Sequence, residues 1–180
     1  MENMPKRQKI FITTMEKIIN IMIGLPGSGK SHFCRTNATE AEDHWISRDA
    51  IRFSILKPGQ SYYSQETNVF NTFIDTINNV LAEDADSMLY IDATHINASS
   101  RLKLLRRLNL TGNEEINYYF FDTPIEECLR RNRGRTGMER VPDTAIRDMN
   151  ARAQFFITDS ERRAYDPTEY RVNWKGEVEI

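Results

Sequence analysis

The sequence predicts an α/β fold in which a parallel β-sheet is flanked by helices on both faces. Short apolar segments alternate with segments of helical periodicity along the chain. The first strand, at residues 18–23, is a nearly continuous apolar run, as in strands that are buried on both faces of a parallel sheet. With 180 residues and a net charge of −2, the chain is expected to form one domain at residues 17–180, after an N-terminal extension at residues 1–16.

The individual elements follow from apolar runs, helical spacing and helix-start residues. Strands are expected at residues 18–23, 44–47, 87–92, 116–122 and, as an edge strand, 169–174. Helices are expected at residues 29–36, 64–83, 98–109, from Asp122-Thr123-Pro124 onward, and from Pro142 to about residue 157. The third of these helices should turn Leu102, Leu105 and Leu108 inward.

A glycine-rich segment, G-L-P-G-S-G-K-S, follows the first strand at residues 24–31. Its spacing is that of a phosphate-binding loop, in which glycines permit backbone angles that turn N–H groups onto phosphate oxygens. Lys30 is expected to reach the β- and γ-phosphates of ATP, and the Ser31 hydroxyl to bind Mg²⁺. The expected nucleotide-binding residues of this loop are Gly24, Gly27, Ser28, Gly29, Lys30 and Ser31.

Asp49 follows the second predicted strand in S-R-D-A-I-R, with Arg52 one helical turn farther on. Ligands gather at the carboxyl ends of strands in open α/β sheets, so both residues are candidates for the acceptor site. A carboxylate there can accept the proton of an attacking hydroxyl, and the arginine can hold an anionic part of the acceptor. Alternatively, Asp49 only caps a helix and Arg52 is solvated.

Asp92 ends the strand at residues 87–92 and is followed by Thr94 and His95. In phosphate-loop proteins an acid at this place orients Mg²⁺ or positions the lysine and serine of the loop. The alternative is an ordinary turn at the end of the strand. Thr94 and His95 are candidates for lining the acceptor pocket.

Positive charge is concentrated in two segments. Five arginines fall within the eleven residues 130–140, interrupted by glycines, which predicts a mobile flap whose Arg131 and Arg135 close over the triphosphate. Arg133 is an alternative to either, and a solvated face that complements a helix C-terminus is the other interpretation. The second segment, Arg101 to Arg107, is interpreted as the polar face of an amphipathic helix, with a nucleic-acid contact as the lesser alternative.

Taken together, these motifs resemble the kinase domain of bacteriophage polynucleotide kinase and its P-loop relatives. The resemblance covers about residues 17–150 and rests on four ordered blocks: G-L-P-G-S-G-K-S, S-R-D-A-I-R, Y-I-D-A-T-H-I-N with Arg101 following, and R-R-N-R-G-R with R-V-P downstream. That family transfers the γ-phosphate of ATP to the 5′-hydroxyl of DNA or RNA. The resemblance therefore implies a P-loop kinase fold with an arginine-bearing lid.

The resemblance also implies a role for each matching residue. Lys30, Asp49 and Arg135 would be catalytic, with Asp49 as the general base on the 5′-hydroxyl. Arg52 would hold the phosphate on the 3′ side of the terminal nucleotide, while Asp92 and Thr94 would belong to the acceptor site. Arg131 and Arg135 would contact the phosphates of the nucleotide.

Two other functions use the same motifs: a P-loop kinase for a nucleoside, nucleotide, sugar or nucleotide-sugar, and a nucleotide-dependent switch ATPase. An open positive channel leading to Asp49 would favour a polynucleotide acceptor, and a closed pocket would favour a small molecule.

Cys34 and Cys128 have no metal or redox spacing, which indicates reduced thiols and a cytoplasmic protein, in the host cytoplasm if it is phage-encoded. No apolar stretch is long enough for a membrane span, and no membrane partner is expected.

Overall fold

The computed structural model describes residues 16–83 and 85–179. Except for Glu16, the predicted N-terminal extension lies outside the described residues. The strands are β1 (Lys17–Ile23), β2 (Asp43–Ser47), β3 (Ser87–Asp92), β4 (Glu115–Phe121), β5 (Thr168–Val172) and β6 (Val178–Glu179). The helices are α1 (Lys30–Asn37), α2 (Arg48–Ile55), α3 (Glu66–Leu81), α4 (Ala98–Leu105), α5 (Ile125–Arg133), α6 (Asp143–Ala151) and α7 (Asp159–Tyr165), with a 3₁₀ turn at Gly137–Glu139.

Within the described residues, the six strands form one sheet in the order β2-β3-β1-β4-β5-β6. Neighbouring strands are parallel from β2 through β5, and only β6 runs antiparallel to its neighbour. The predicted α/β architecture with a mostly parallel sheet is therefore confirmed.

Alternating side chains of β1 bury the two faces of the sheet. Ile19, Ile21 and Ile23 belong to one cluster with apolar residues of α3 and α4. Met22 points to the opposite face, in a second cluster that includes residues of α1. Since burying such a side chain stabilises the fold by about 1.5–3 kcal/mol, this strand is a central part of the core. The segment that follows β1 therefore lies at the carboxyl end of a central strand of the sheet.

The helix predicted at residues 98–109 is shorter than expected, because α4 ends at Leu105. Leu105 and Leu108 are buried as predicted, but Leu102 is only partly buried. The inward face of α4 instead presents Arg101 and Leu104, which are 0 % and 1 % exposed.

The interpretation of Arg101 as part of a solvated face was therefore wrong. Its Nε donates to Glu161 Oε1 at 2.6 Å, and its remaining nitrogens donate to the carboxylate and to the carbonyls of His95, Gln154 and Phe156. Burial alone would raise the pKa of Glu161, but hydrogen bonds from Arg101 and from Thr158 lower it. Removing one partner from such a buried pair costs about 3–5 kcal/mol.

The single helix predicted from Pro142 to about residue 157 was also wrong. The structure has α6, which ends at Ala151, and a separate α7 after an irregular segment. Two carbonyls of that segment accept hydrogen bonds from Arg101, which holds it outside any helix. Thr158 and Glu161 then form a capping box that starts α7.

The strand predicted at residues 169–174 is present as β5, but it is not the edge of the sheet. β6 pairs with β5 on its outer side, at the register of Val172 with Val178. The strand β6 has only two residues and both are exposed, so no apolar run in the sequence predicts this strand.

Among the described residues, no helix has the length and apolar character needed to cross a membrane.

Candidate active site

A cleft of about 750 Å³ lies at the carboxyl ends of β1, β2 and β3. Its wall combines the phosphate loop with the first turns of α1 and α2, the segment after Asp92, and the turn at residues 173–176. Thr94 lines it, while its carbonyl accepts a hydrogen bond of 3.0 Å from Gly24 N. The cleft therefore brings together the predicted nucleotide-binding and acceptor-binding motifs.

Two different constraints explain the glycines of the phosphate loop: the backbone angle at two positions and a lack of space at a third. Gly27 and Gly29 have φ angles of 85° and 109°, in the region that other residues rarely adopt. Gly24 has no positive φ, so the prediction that its backbone angle matters was wrong. Instead, a Cβ on Gly24 would lie 2.6 Å from Ser28 Oγ and 2.9 Å from Phe121 Cβ, which leaves no space for a side chain.

Lys30 begins α1 and is buried at 7 % exposure. Its Nζ donates to the carbonyl oxygens of Gly24 at 3.0 Å and Leu25 at 2.8 Å. Burial lowers the pKa of Lys30, while the charges of Asp92 and Asp49 act in the opposite direction. The ammonium is thus held inside the loop by carbonyls, close to both predicted carboxylates.

The donor set for a divalent cation is small. Ser31 lines the cleft one residue after Lys30, and the Asp92 carboxylate, 5 % exposed, also faces it. Asp92 Oδ2 accepts a hydrogen bond of 3.2 Å from Trp45 Nε1. Among the described residues, no group of three or more histidines, cysteines or acids is placed to hold a metal ion. One hydroxyl and one carboxylate fit Mg²⁺, which keeps several waters and binds together with substrate phosphates.

Asp49 does not cap α2. The cap is Ser47, whose Oγ accepts from Ala50 N at 3.3 Å. The Asp49 side chain is 59 % exposed in the cleft and receives a hydrogen bond of 2.5 Å from the Tyr62 hydroxyl. Burial and the charge of Asp49 raise the pKa of Tyr62, so the phenol stays protonated and remains a donor. Asp49 is consequently an oriented and accessible carboxylate.

The solvated alternative for Arg52 was wrong, because its side chain is 4 % exposed. Nη1 donates to Glu66 Oε2 at 2.5 Å, and Cζ lies 4.1 Å from the centre of the Tyr62 ring. Its Nε lies 3.7 Å from Asp49 Oδ1 and has no hydrogen-bond partner among the described residues. Glu66 also pairs with Arg48, so one carboxylate serves two arginines at this end of the cleft.

The arginines at the end of α5 and just after it separate into two groups. Arg131 lines the cleft: its Nη1 lies 3.5 Å from the carbonyl oxygens of Gly27 and Ser28. Arg135 also lines the cleft, and its charge lowers the pKa of Lys30 after the larger effect of burial. Arg133 instead pairs with Asp143 at 2.9 Å and does not line the cleft.

Sequence reasoning missed several residues that build this site. Tyr62 and Glu66 orient Asp49 and Arg52, Trp45 contacts Asp92, and the carbonyl of Trp174 accepts from Arg131 at 3.0 Å. None of them belongs to a recognisable motif. They become visible only when the fold brings distant segments to one edge of the sheet.

Comparison with known proteins identifies the family of the chain. A family model described as an AAA domain matches residues 19–156. Since this match covers most of the chain, the chain belongs to that family. No curated protein is significantly similar to it in sequence.

Solved structures with the same fold include kinases for different acceptors. A chain of the Pnkp1/Rnl/Hen1 RNA repair complex is 26 % identical, with a TM-score of 0.62, and the match covers 79 % of this chain and 45 % of that one. This chain thus spans less than half the length of that protein. A fungal RNA kinase is 16 % identical, with a TM-score of 0.61 and coverage of 89 % and 76 %. A sugar kinase from Janibacter sp. HTCC2649 is 12 % identical, with a TM-score of 0.59 and coverage of 91 % and 88 %. The last two show the fold alone. The family match identifies a P-loop kinase domain, which implies ATP binding.

Proposed function

We propose that this P-loop kinase domain transfers the γ-phosphate of ATP to the 5′-hydroxyl end of DNA or RNA, in a reaction that depends on Mg²⁺. The observation that carries the proposal is the acceptor end of the cleft, where the exposed carboxylate of Asp49 lies beside the buried guanidinium of Arg52. The cleft is lined by seven lysines and arginines but only three carboxylates, a balance that suits two polyanionic substrates. The 5′-phosphate product is the form in which broken ends are religated.

The phosphate loop binds the triphosphate of ATP. The first N–H groups of α1 have no partner within the helix, so those of Lys30 and Ser31 are available to phosphate oxygens, assisted by the helix dipole. The Lys30 ammonium exchanges the carbonyls of Gly24 and Leu25 for the β- and γ-phosphates. Mg²⁺, held by the Ser31 hydroxyl and oriented by Asp92, would neutralise charge on those phosphates.

Asp49 accepts the proton of the 5′-hydroxyl. The hydroxyl oxygen forms a bond to the γ-phosphorus while the bond between that phosphorus and the bridging oxygen of ADP breaks. Arg131 and Arg135 stabilise the charge on the transferring group, and Arg52 holds the phosphate on the 3′ side of the terminal nucleotide. The catalysis is therefore mainly positioning and electrostatics.

The alternative acceptors fit this arrangement less well. A kinase for a small molecule would enclose the acceptor, whereas the Asp49 side chain is 59 % exposed. The likeness to the sugar kinase, at 12 % identity, concerns the fold and not the acceptor. A switch ATPase usually takes its arginine from a partner. Here Arg131 and Arg135 of the same chain line the cleft.

Transfer from γ-labelled ATP to 5′-hydroxyl oligonucleotides tests the roles of Lys30 and Asp49. Lys30→Ala should abolish transfer, because the loop loses the cation that contacts the phosphates. Asp49→Asn should lower kcat by about 10²–10⁴-fold, the usual contribution of a general base, while ATP binding is retained. Asp148→Asn, an exposed aspartate outside the cleft, is the matched control and should behave as wild type. Full turnover by Asp49→Asn would refute the proposed base.

A further inference from the structure

Three cations from two separate segments of the chain converge on one aromatic ring next to the cleft. Phe70 is a half-buried residue of α3. Arg48 Cζ, Lys103 Nζ and Arg107 Cζ lie 5.4, 4.7 and 5.9 Å from the centre of its ring. Arg48 begins α2, Lys103 belongs to α4 and Arg107 follows α4. We call these four residues the Phe70 cluster.

The Phe70 cluster carries uncompensated positive charge. Arg48 is paired with Glu66, but among the described residues neither Lys103 nor Arg107 has an acidic side chain within 4.0 Å. Within the described part of the chain, the one side-chain hydrogen bond of Arg107 is a long contact of 3.5 Å from Nη2 to Asn71 Oδ1. Attraction to the ring offsets part of the repulsion between the cations, by about 0.5–1 kcal/mol each at an exposed site. A dense group of cations with so few acidic partners is suited to an anionic ligand.

The cluster is continuous with the acceptor end of the cleft. Arg48 lines the cleft and also contacts Phe70, so it belongs to both sites. Glu66 connects Arg48 to Arg52, which lies beside Asp49. A chain whose 5′ end occupies the site at Asp49 can therefore leave the cleft past Arg48 and reach Lys103 and Arg107.

We propose that the Phe70 cluster binds the phosphodiester backbone of the acceptor strand behind its 5′ end. This inference rests on the proposed function and extends it, because it makes the substrate a strand and not a single nucleotide. Lysine and arginine contacts to phosphates carry no sequence information, so the site binds strands of any sequence. It also assigns a binding role to the basic segment at Arg101–Arg107, whose first member is buried in the core.

The test compares two double variants that each remove two positive charges. Lys103→Gln with Arg107→Gln alters the cluster. Arg162→Gln with Arg163→Gln, on the exposed face of α7 and outside the cleft, is the matched control. Both variants should fold, since all four side chains are exposed; their thermal unfolding is measured beside that of wild type.

Binding of a single-stranded 5′-hydroxyl oligonucleotide, labelled with a fluorophore at its 3′ end, is measured over a range of salt concentrations. Each phosphate contact on a single strand contributes about 0.7 to the slope of log affinity against log salt, so the cluster variant should lose about 1.4. The control should keep the wild-type slope. An unchanged slope in the cluster variant would overturn the proposal.

Kinetics separate this inference from the function on which it rests. The ratio of kcat/KM for an oligonucleotide to kcat/KM for a nucleoside 3′-monophosphate should fall roughly fivefold in the cluster variant, because only the longer acceptor reaches the cluster. If oligonucleotides are phosphorylated but neither slope nor ratio changes, the cluster proposal fails and the function stands. If no acceptor is phosphorylated but the slope falls, the cluster binds nucleic acid and the kinase proposal fails. Absence of oligonucleotide binding by wild type refutes the cluster as a nucleic-acid site.

Discussion

At the scale of single residues, Asp49 and Arg52 illustrate what a motif can and cannot predict. S-R-D-A-I-R placed both residues near the phosphate loop because they follow a strand of a parallel sheet. The motif gave no information on their environments, since these depend on Tyr62 and Glu66. Tyr62 orients Asp49 and covers Arg52, which becomes a buried cation while its neighbour remains exposed.

Arg101 is a residue for which the local sequence pattern gave the wrong expectation. A run of basic residues on a helix is typical of a solvated face, and three of the four members of this run are exposed. The fourth is buried because Glu161, sixty residues away, supplies its counter-ion. The burial of Arg101 depends on a partner that is distant in sequence, and the local pattern of residues therefore cannot predict it.

His95 gives a prediction about pH and stability. It has a φ of 41°, its Nδ1 lies 3.3 Å from the Met22 carbonyl, and burial lowers its pKa to about 3 from an ordinary value of 6.5. Between these pH values the unfolded chain binds a proton that the folded chain does not. The stability associated with neutral His95 is therefore fully present above pH 6.5 and is lost as the pH falls, by about 2 kcal/mol at about pH 5.

Urea unfolding at about pH 7.5 and about pH 5 measures this loss. His95→Asn is the matched variant, because asparagine tolerates a positive φ and does not titrate in this range. The variant should lose about 2 kcal/mol less than wild type between the two pH values. Equal losses in both proteins would show that His95 does not titrate as its burial requires.

At the scale of elements, the strands were easier to predict than the helices. β1, β3 and β4 are apolar runs with almost no local alternative, and each was found at its predicted place. The long helix expected after Pro142 failed for an identifiable reason. It was expected to run to about residue 157, but α6 ends at Ala151, and the contacts of Arg101 hold the carbonyls of Gln154 and Phe156 outside a helix. A capping box at Thr158 and Glu161 then starts α7, just beyond the predicted helix. The T-x-x-E signature of that capping box was present in the sequence.

The basic segment at residues 130–140 begins in α5 and contains five arginines, which allows a direct comparison between Arg133 and Arg135. Arg135 lines the cleft close to Lys30, whereas Arg133 pairs with Asp143 outside it. If the segment closes as a lid over the triphosphate, Arg135→Ala should lower kcat/KM for ATP by about 10–100-fold, because a cation that stabilises the transferring phosphoryl group is lost. Arg133→Ala removes the same charge two residues away.

Steady-state kinetics with varied ATP and a saturating oligonucleotide measure both variants. Arg133→Ala should stay within a few-fold of wild type, since its ion pair is exposed and contributes little. Equal losses in the two variants would indicate a general electrostatic effect and not a specific contact of Arg135.

At the scale of the whole molecule, function depends on where the fold places charge, because the net charge is only −2. Composition alone gave no sign of a polyanionic substrate. The fold concentrates seven cations in one cleft and places the Phe70 cluster beside it, while most acids lie elsewhere. The sequence was sufficient to predict the phosphate loop and the acceptor aspartate. The continuous positive surface could be recognised only in the structure, because its cations come from distant parts of the chain.

Competition between acceptors is a direct test of a polynucleotide as the phosphate acceptor. The wild-type protein is given γ-labelled ATP and Mg²⁺ with a 5′-hydroxyl oligonucleotide, a nucleoside and a sugar at equal concentrations, and the labelled products are separated. We expect the label on the 5′ end of the oligonucleotide, in large excess over the other two products. Label on the nucleoside or the sugar, with the oligonucleotide unlabelled, would contradict it.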